Sequence, residues 1–284
     1  SITRKDVIRM MQEAVKACYE HGAEWVGVNA EDASRTEVAE LIEYAGAAKD
    51  VNAKSLRYCD TLGYDDPMSA YERIRKLAES VKLPVELHCH NDLGLGVAVS
   101  CAGAVGAVDG GVDAYINATV NGMGERAGNA DLVSVILALK YSSSWSKRNL
   151  LDPRVKLSKA WKISKYGSYA FNVPIPINQP GVGSNAFAHE SGIHADGALK
   201  DSRNYELYDY EDLGRGEPET VETGRLITVG EIDGQAVRVS VSPTVEGITS
   251  GANAMVKTFA AAGRTIRFDQ AVEKIAASLR MQGH

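Results

Sequence analysis

Long apolar runs are missing from these 284 residues. None approaches the ~20 residues that span a bilayer, and the opening Ser-Ile-Thr-Arg-Lys holds no apolar signal core. Cys-x-x-Cys spacing is missing too. The 4 cysteines, Cys18, Cys59, Cys89 and Cys101, stand apart, which argues against a structural zinc held by paired thiolates. They read as the reduced thiols of a cytoplasmic protein. Positive charge is in deficit: 31 Lys and Arg face 37 Asp and Glu, a net −6. A surface of that sign does not suit a phosphate backbone, so nucleic acid is not expected as a partner; with no long apolar run, neither is a membrane. What remains is 44% hydrophobic and 24% charged, ordinary for a globular chain of one large domain or two small ones.

The first 142 residues repeat one unit. Val7, Ile8, Met11, Val15 and Cys18 recur at helical spacing behind a capping box of Thr3 and Asp6. This helix yields at His21-Gly22 to a strand, Glu24 to Asn29. A second helix over about 35–47 leads to a strand at Ser55–Asp60. A third opens on Asp66 as cap with Pro67 in its first position and ends before Pro84. Then come the strand Val85–His90, an Ala- and Gly-rich helix over about 95–109 whose small residues predict close packing, the strand Ala114–Val120 and a helix over about 130–142. The strand starts recur at the roughly thirty-residue period of βαβ units. That period predicts parallel strands with right-handed crossovers. The polar motifs all follow strands, at the edge where parallel α/β folds build their sites.

Past about 143 the texture changes. Residues 154–170 read as helical, and Pro174, Pro176 and Pro180 with Gly181 and Gly183 make a stiff irregular segment. Residues 218–250 are mixed. Residues 252–280 hold one or two helices, with Ala254, Val256, Phe259, Ala271, Val272, Ile275 and Leu279 as core candidates.

The chemistry begins at His88-Cys89-His90-Asn91-Asp92, directly after the short run Leu83–Leu87. Side chains alternate along a strand, so His88 and His90 point to one side. A lone histidine is usually structural, but a pair on one face of a strand end is rarer and can grip a divalent cation. With O and N donors and no paired thiolates, Mg, Mn or Zn is expected. Gly122-Met123-Gly124-Glu125-Arg126-Ala127-Gly128-Asn129 is a Gly-rich turn ending in an amide. Asn129 alone would be a loop amide; behind Gly128, which permits close backbone approach, it is a third ligand. Asp92 and Glu125 orient ligands or cap helices, and capping is the expected role of Asp92. Arg126 beside Glu125 reads as an internal ion pair rather than a substrate clamp. Thr61 reads equally as a donor to a substrate carboxylate or as a turn residue, and Glu31 either lines the site or begins the next loop. His194 lies among small residues, where a solvated loop histidine is the default and an acid/base role the alternative.

Val-Glu-Leu-His-Cys-His-Asn-Asp-Leu-Gly at 85–94 and Asn-Gly-Met-Gly-Glu-Arg-Ala-Gly-Asn-Ala at 121–130 resemble two signatures of one family. It comprises the α-isopropylmalate, homocitrate and citramalate synthases with the Re-type citrate synthases. It belongs to the metal-dependent TIM-barrel lyase superfamily that also contains the hydroxymethylglutaryl-CoA lyases. Gly-Ile-His-x-Asp-Gly at 192–197 extends the likeness, which runs from residue 1 to about 215 and weakens afterwards.

The resemblance implies an acyltransferase that condenses acetyl-CoA with an α-keto acid bound at a divalent metal, then hydrolyses the thioester. It implies His88, His90 and Asn129 as metal ligands, Thr61 as keto-acid contact and Glu31 as pocket carboxylate with catalytic and substrate-binding roles. It implies His194 and Tyr205 as acid/base groups, with Tyr208 as rival tyrosine, carried on a subdomain that reaches into the neighbouring barrel of a homodimer. Candidate keto acids are 2-oxoglutarate, oxaloacetate and 2-oxoisovalerate.

The expected architecture is α/β: the C-terminal half of a TIM (β/α)8 barrel, strands five to eight, over 1–145. A linker and mainly helical subdomain follow over 146–215, then an α+β or helical region over 216–284. Two departures stand out. The segment between the signatures is longer than in isopropylmalate synthases, with the excess around Gly103–Gly111, which points to the Re-citrate branch. The family's Arg-Asp-Gly, which brings an anionic metal ligand and a substrate clamp, has no match here. A fragment of a longer enzyme is the favoured explanation; a separate chain supplying the N-terminal half barrel is the other. A non-catalytic subunit needing a partner chain and a hydroxymethylglutaryl-CoA-lyase-like lyase are the competing functions.

Overall fold

Asp66 and Thr3 begin their helices as the sequence predicts. Asp66 accepts the N–H groups of Met68 and Ser69 ahead of Pro67, and Thr3 and Asp6 close a reciprocal capping box. In the computed structural model, residues 2–189, 191–216, 225–232, 235–241 and 245–281 are described. They divide into two compact units at Pro176/Ile177.

In the first unit β1 (Gly27–Ala30), β2 (Ser55–Asp60), β3 (Val85–Cys89) and β4 (Ala114–Ile116) form one sheet in chain order, every pair parallel. The helices α1 (Arg4–Glu20), α2 (Val38–Asp50), α3 (Pro67–Val81), α4 (Gly96–Asp109), α5 (Leu132–Tyr141) and α6 (Ala160–Phe171) complete it. This is the parallel α/β arrangement expected of part of a TIM barrel.

Strand alternation gives the sheet two unlike faces. Val28, Leu56, Tyr58, Val85, Leu87 and Cys89 enter the apolar core with Ile74, Leu77 and Val99 of the helices. Ser55, Arg57, Glu86 and His88 take the alternate positions, and Arg57 pairs with Glu86 at 2.8 Å across the β2–β3 register. Small residues bring α3 and α4 together as expected. A Cβ at Gly106 would meet the Tyr71 carbonyl oxygen at 2.5 Å, so only glycine fits there.

Several boundaries move. β1 starts at Gly27 rather than Glu24, and α2 starts at Val38 because a 3-10 turn, Ala33–Arg35, intervenes. β4 stops at Ile116, short of Val120, where a 3-10 turn with Asn121 in left-handed conformation begins. On α1, Met11 and Val15 are buried, while Val7 and Cys18 face solvent.

The second unit contains α7 (Gly192–Lys200), an antiparallel hairpin of β5 (Arg225–Ile232) and β6 (Gln235–Val241), and the pair α8 (Val245–Ala261) and α9 (Phe268–Met281). Ala252, Met255, Phe259, Ile266, Ala271 and Ile275 form the core of that pair. Ala254 faces solvent instead of the core, and the Leu279 side chain lies outside the described residues. All four cysteines are free thiols. No helix among the described residues is long and apolar enough to cross a membrane.

Candidate active site

The two signatures meet at the C-terminal end of β3. His90 forms an antiparallel backbone bridge with Asn129. The Asn91 N–H donates to the Gly128 carbonyl at 2.9 Å, and the Ala130 N–H to that of Cys89 at 3.1 Å. Backbone pairing therefore sets two imidazoles and one amide side by side. The His88 and His90 rings lie 5.2 Å apart and nearly perpendicular. His90 is 7% exposed and Asn129 5%. Gly124 makes room for that amide: a Cβ there would collide with Asn129 Oδ1.

Three observations fit a divalent cation here. His90 Nδ1 is buried without a hydrogen-bond partner, a state that costs about 1–3 kcal/mol unless something relieves it. Burial holds the His88 pKa below the usual histidine range, helped by the nearby charges of His90 and Arg57 and opposed by Glu31 and Glu125. A neutral imidazole is the form that binds metal. The donors are N and O, suited to Mg, Mn or Zn. Among the described residues no group of three or more His, Cys, Asp or Glu could hold a metal ion, so the amide is needed as third donor.

Around this pair stand the other expected residues of the first unit. The Thr61 hydroxyl accepts the Asp32 N–H at 2.9 Å, which ties the loop after β2 to the loop after β1. Glu31 is exposed, and its charge is felt by both His88 and Cys59. Burial, with Glu31 second, pushes the Cys59 thiol up to about 12, which removes it as a thiolate ligand or nucleophile.

One assignment changes, and one gains a partner. Asp92 caps no helix: α4 begins at Gly96, whose N–H donates to Asn91 Oδ1 at 3.0 Å. Asp92 instead takes two hydrogen bonds from Arg126, which hold its carboxyl below the usual carboxylate range. Arg126 thus pairs with Glu125 as expected, at 3.9 Å with that carboxylate 84% exposed, and more closely with Asp92 at 2.9 Å.

In the second unit His194 lies on helix α7, not in a loop, with its side chain exposed. Its ring stacks on Tyr205 at 4.2 Å between centroids, and Gly197 leaves space for the tyrosine. The Tyr208 ring packs edge-on against Phe187, so the ring on His194 is that of Tyr205. Sequence reasoning missed His189 and Glu206. His189 Nε2 lies 3.2 Å from Glu206 Oε1, and the His189 ring is 6.2 Å from that of His194 and 6.1 Å from that of Tyr205. The available signal was adjacency: Glu206 follows Tyr205, and His189 shares a motif with His194.

Comparison with known proteins adds the family. A family model described as homocitrate synthase post-HMGL domain-like matches residues 182–260. The chain is 61% identical over 230 residues to citrate (Re)-synthase of Dehalococcoides mccartyi, covering 81% of this chain and 55% of the relative. It is 41% identical over 238 residues to 2-isopropylmalate synthase 2 of Caldanaerobacter subterraneus, covering 84% and 57%. To (R)-citramalate synthase CimA of Methanocaldococcus jannaschii it is 38% identical over 233 residues, covering 82% and 43%. The chain therefore spans about half the length of the curated relatives it matches. The model described as HMGL-like covers residues 1–166, taking in all four parallel strands and both signatures, and the chain belongs to that family.

Proposed function

We propose that this chain carries the keto-acid and metal site of an acetyl-CoA-dependent synthase, and that its keto acid is oxaloacetate, giving citrate. The observation that carries the synthase reading is the backbone bridge setting Asn129 beside His90, whose ring lies 5.2 Å from that of His88. The citrate reading is supported by identity: 61% to the citrate (Re)-synthase against 41% and 38% to the isopropylmalate and citramalate synthases. The family match over residues 182–260 favours a synthase over a retro-aldol lyase.

In the overall reaction a methyl proton leaves acetyl-CoA, the resulting carbanion adds to the keto carbon, and water cleaves the thioester to release CoA. A divalent cation held by His88, His90 and Asn129 supplies Lewis-acid polarisation when bound. Thr61 accepts the Asp32 N–H, which leaves its own hydroxyl proton for the keto-acid carboxylate. Glu31, exposed beside His88, contacts substrate and takes part in proton handling. His194 and Tyr205, held ring on ring, form the acid/base pair, acting on a neighbouring barrel in a homodimer, and the close His189–Glu206 pair supports them. The free thiols suit a cytoplasmic enzyme.

The test is release of free thiol from acetyl-CoA by the intact enzyme with Mn2+ and each of oxaloacetate, 2-oxoglutarate, pyruvate and 2-oxoisovalerate. Oxaloacetate should be turned over fastest. Release with another acid alone would replace the citrate reading, and release with none would end the synthase reading.

A further inference from the structure

Arg126 occupies the turn after β4 with φ +55, a left-handed conformation that is strained for a residue carrying a Cβ. From there its guanidinium reaches two other strand-end loops. Nε and Nη2 donate to the two oxygens of Asp92 at 2.9 and 3.0 Å, and Nη2 also donates to the Thr61 backbone carbonyl at 2.6 Å. The loops after β2, β3 and β4 are joined through one planar fork. A lysine is a point charge and cannot present two parallel N–H groups to a carboxylate while holding a third acceptor.

The residues so joined are those that the synthase reading uses. Thr61 is held from both sides, its carbonyl by Arg126 and its hydroxyl by the Asp32 N–H. Asp92 lies two residues beyond His90. Gly63, at φ +62, lets the β2 loop lie directly on the β3 loop; a Cβ there would come within 2.9 Å of the Asp92 nitrogen and 3.0 Å of the His90 carbonyl oxygen. The Arg126 side chain is 40% exposed, and an ion pair so accessible adds little to stability. What the contact supplies is geometry.

We propose that Arg126 is a positioning residue that fixes Thr61 against His90 and so sets the spacing between the donor for the keto-acid carboxylate and the imidazole pair. The assignment rests on the synthase reading above.

The intact enzyme and its R126K, R126A and D92N variants are titrated calorimetrically with Mn2+ alone. They are then titrated, with Mn2+ present, against oxaloacetate, 2-oxoglutarate, pyruvate and 2-oxoisovalerate. Mn2+ affinity should change less than about threefold, while the keto acid bound by the wild type should bind at least about tenfold more weakly to all three variants, since small displacements at a site carry large penalties. In R126A, hydrogen exchange at the Asp32 and Asn91 amides should quicken by at least about tenfold, as those loops loosen. Keto-acid affinity unchanged in both Arg126 variants would overturn the assignment, as would unchanged exchange at those amides. Wild-type enzyme that binds Mn2+ but none of the four acids would instead defeat the synthase reading, and the exchange measurement would still decide the clasp.

Discussion

A missing side chain decides whether Asn129 can serve as a ligand. Gly124 leaves the space that Asn129 Oδ1 fills, so Gly124→Ala should displace the amide. Mn2+ affinity should fall by at least about tenfold, comparable to disturbing a ligand's supporting contacts, with the circular dichroism of the protein retained. In the proposed metal site, replacing His88 or His90 by alanine would remove a ligand outright. Either change should abolish metal-dependent turnover and weaken Mn2+ by about a hundredfold or more, measured by calorimetry; undiminished Mn2+ binding would refute the ligand set. The imidazole pair and Asn129 are legible in the sequence because they sit in short motifs after strands. The partners Asp92–Arg126 and His189–Glu206 are not. Each joins residues well apart in the chain, 34 positions in the first case and 17 in the second, and no local pattern reports such pairings.

At the scale of the element, glycines in two helices should behave oppositely. A Cβ added at Gly46 in α2 would meet nothing within 4 Å, so Gly46→Ala should stabilise by about 0.5–1 kcal/mol through reduced freedom of the unfolded chain. Gly106 in α4 abuts the Tyr71 carbonyl, so Gly106→Ala should destabilise by about 1–3 kcal/mol through overpacking. Urea denaturation of the two variants checks both signs. Helix starts with polar caps are the most legible elements: α1 and α3 carry their capping residues in the sequence. The start of α2 reads too early because Ala33–Arg35 continues the helical pattern yet folds as a 3-10 turn. Helix α7 reads as a loop because Gly192 and Gly197 dilute its helical signal. The strand Ser55–Asp60 is plain in the sequence because an apolar and β-forming run is bounded on both sides by polar turns.

Across the whole molecule, thiol chemistry offers a check on packing. Cys18 is exposed, while Cys59, Cys89 and Cys101 are buried with thiols pushed up to about 12, chiefly by desolvation. A raised pKa keeps the thiol protonated across the neutral range. A disulfide reagent at pH 7–8 should therefore modify one thiol quickly in the native protein, and Cys18→Ser should remove that fast phase; three or four fast thiols would contradict the core described above. The parallel architecture is legible from the spacing of the strands, because a crossover helix sets the length of each unit. The His194–Tyr205 stack on the second unit depends on family motifs rather than on periodicity. The bridge between His90 and Asn129 has one more consequence, for insertions and deletions. Because the backbone closes at both ends, the chain from 91 to 128 is a parenthesis, holding α4 and β4, whose ends stay fixed whatever happens at its surface turns. An extra residue placed at the exposed Gly111 turn after α4 should therefore leave the pair of imidazoles and the amide in place.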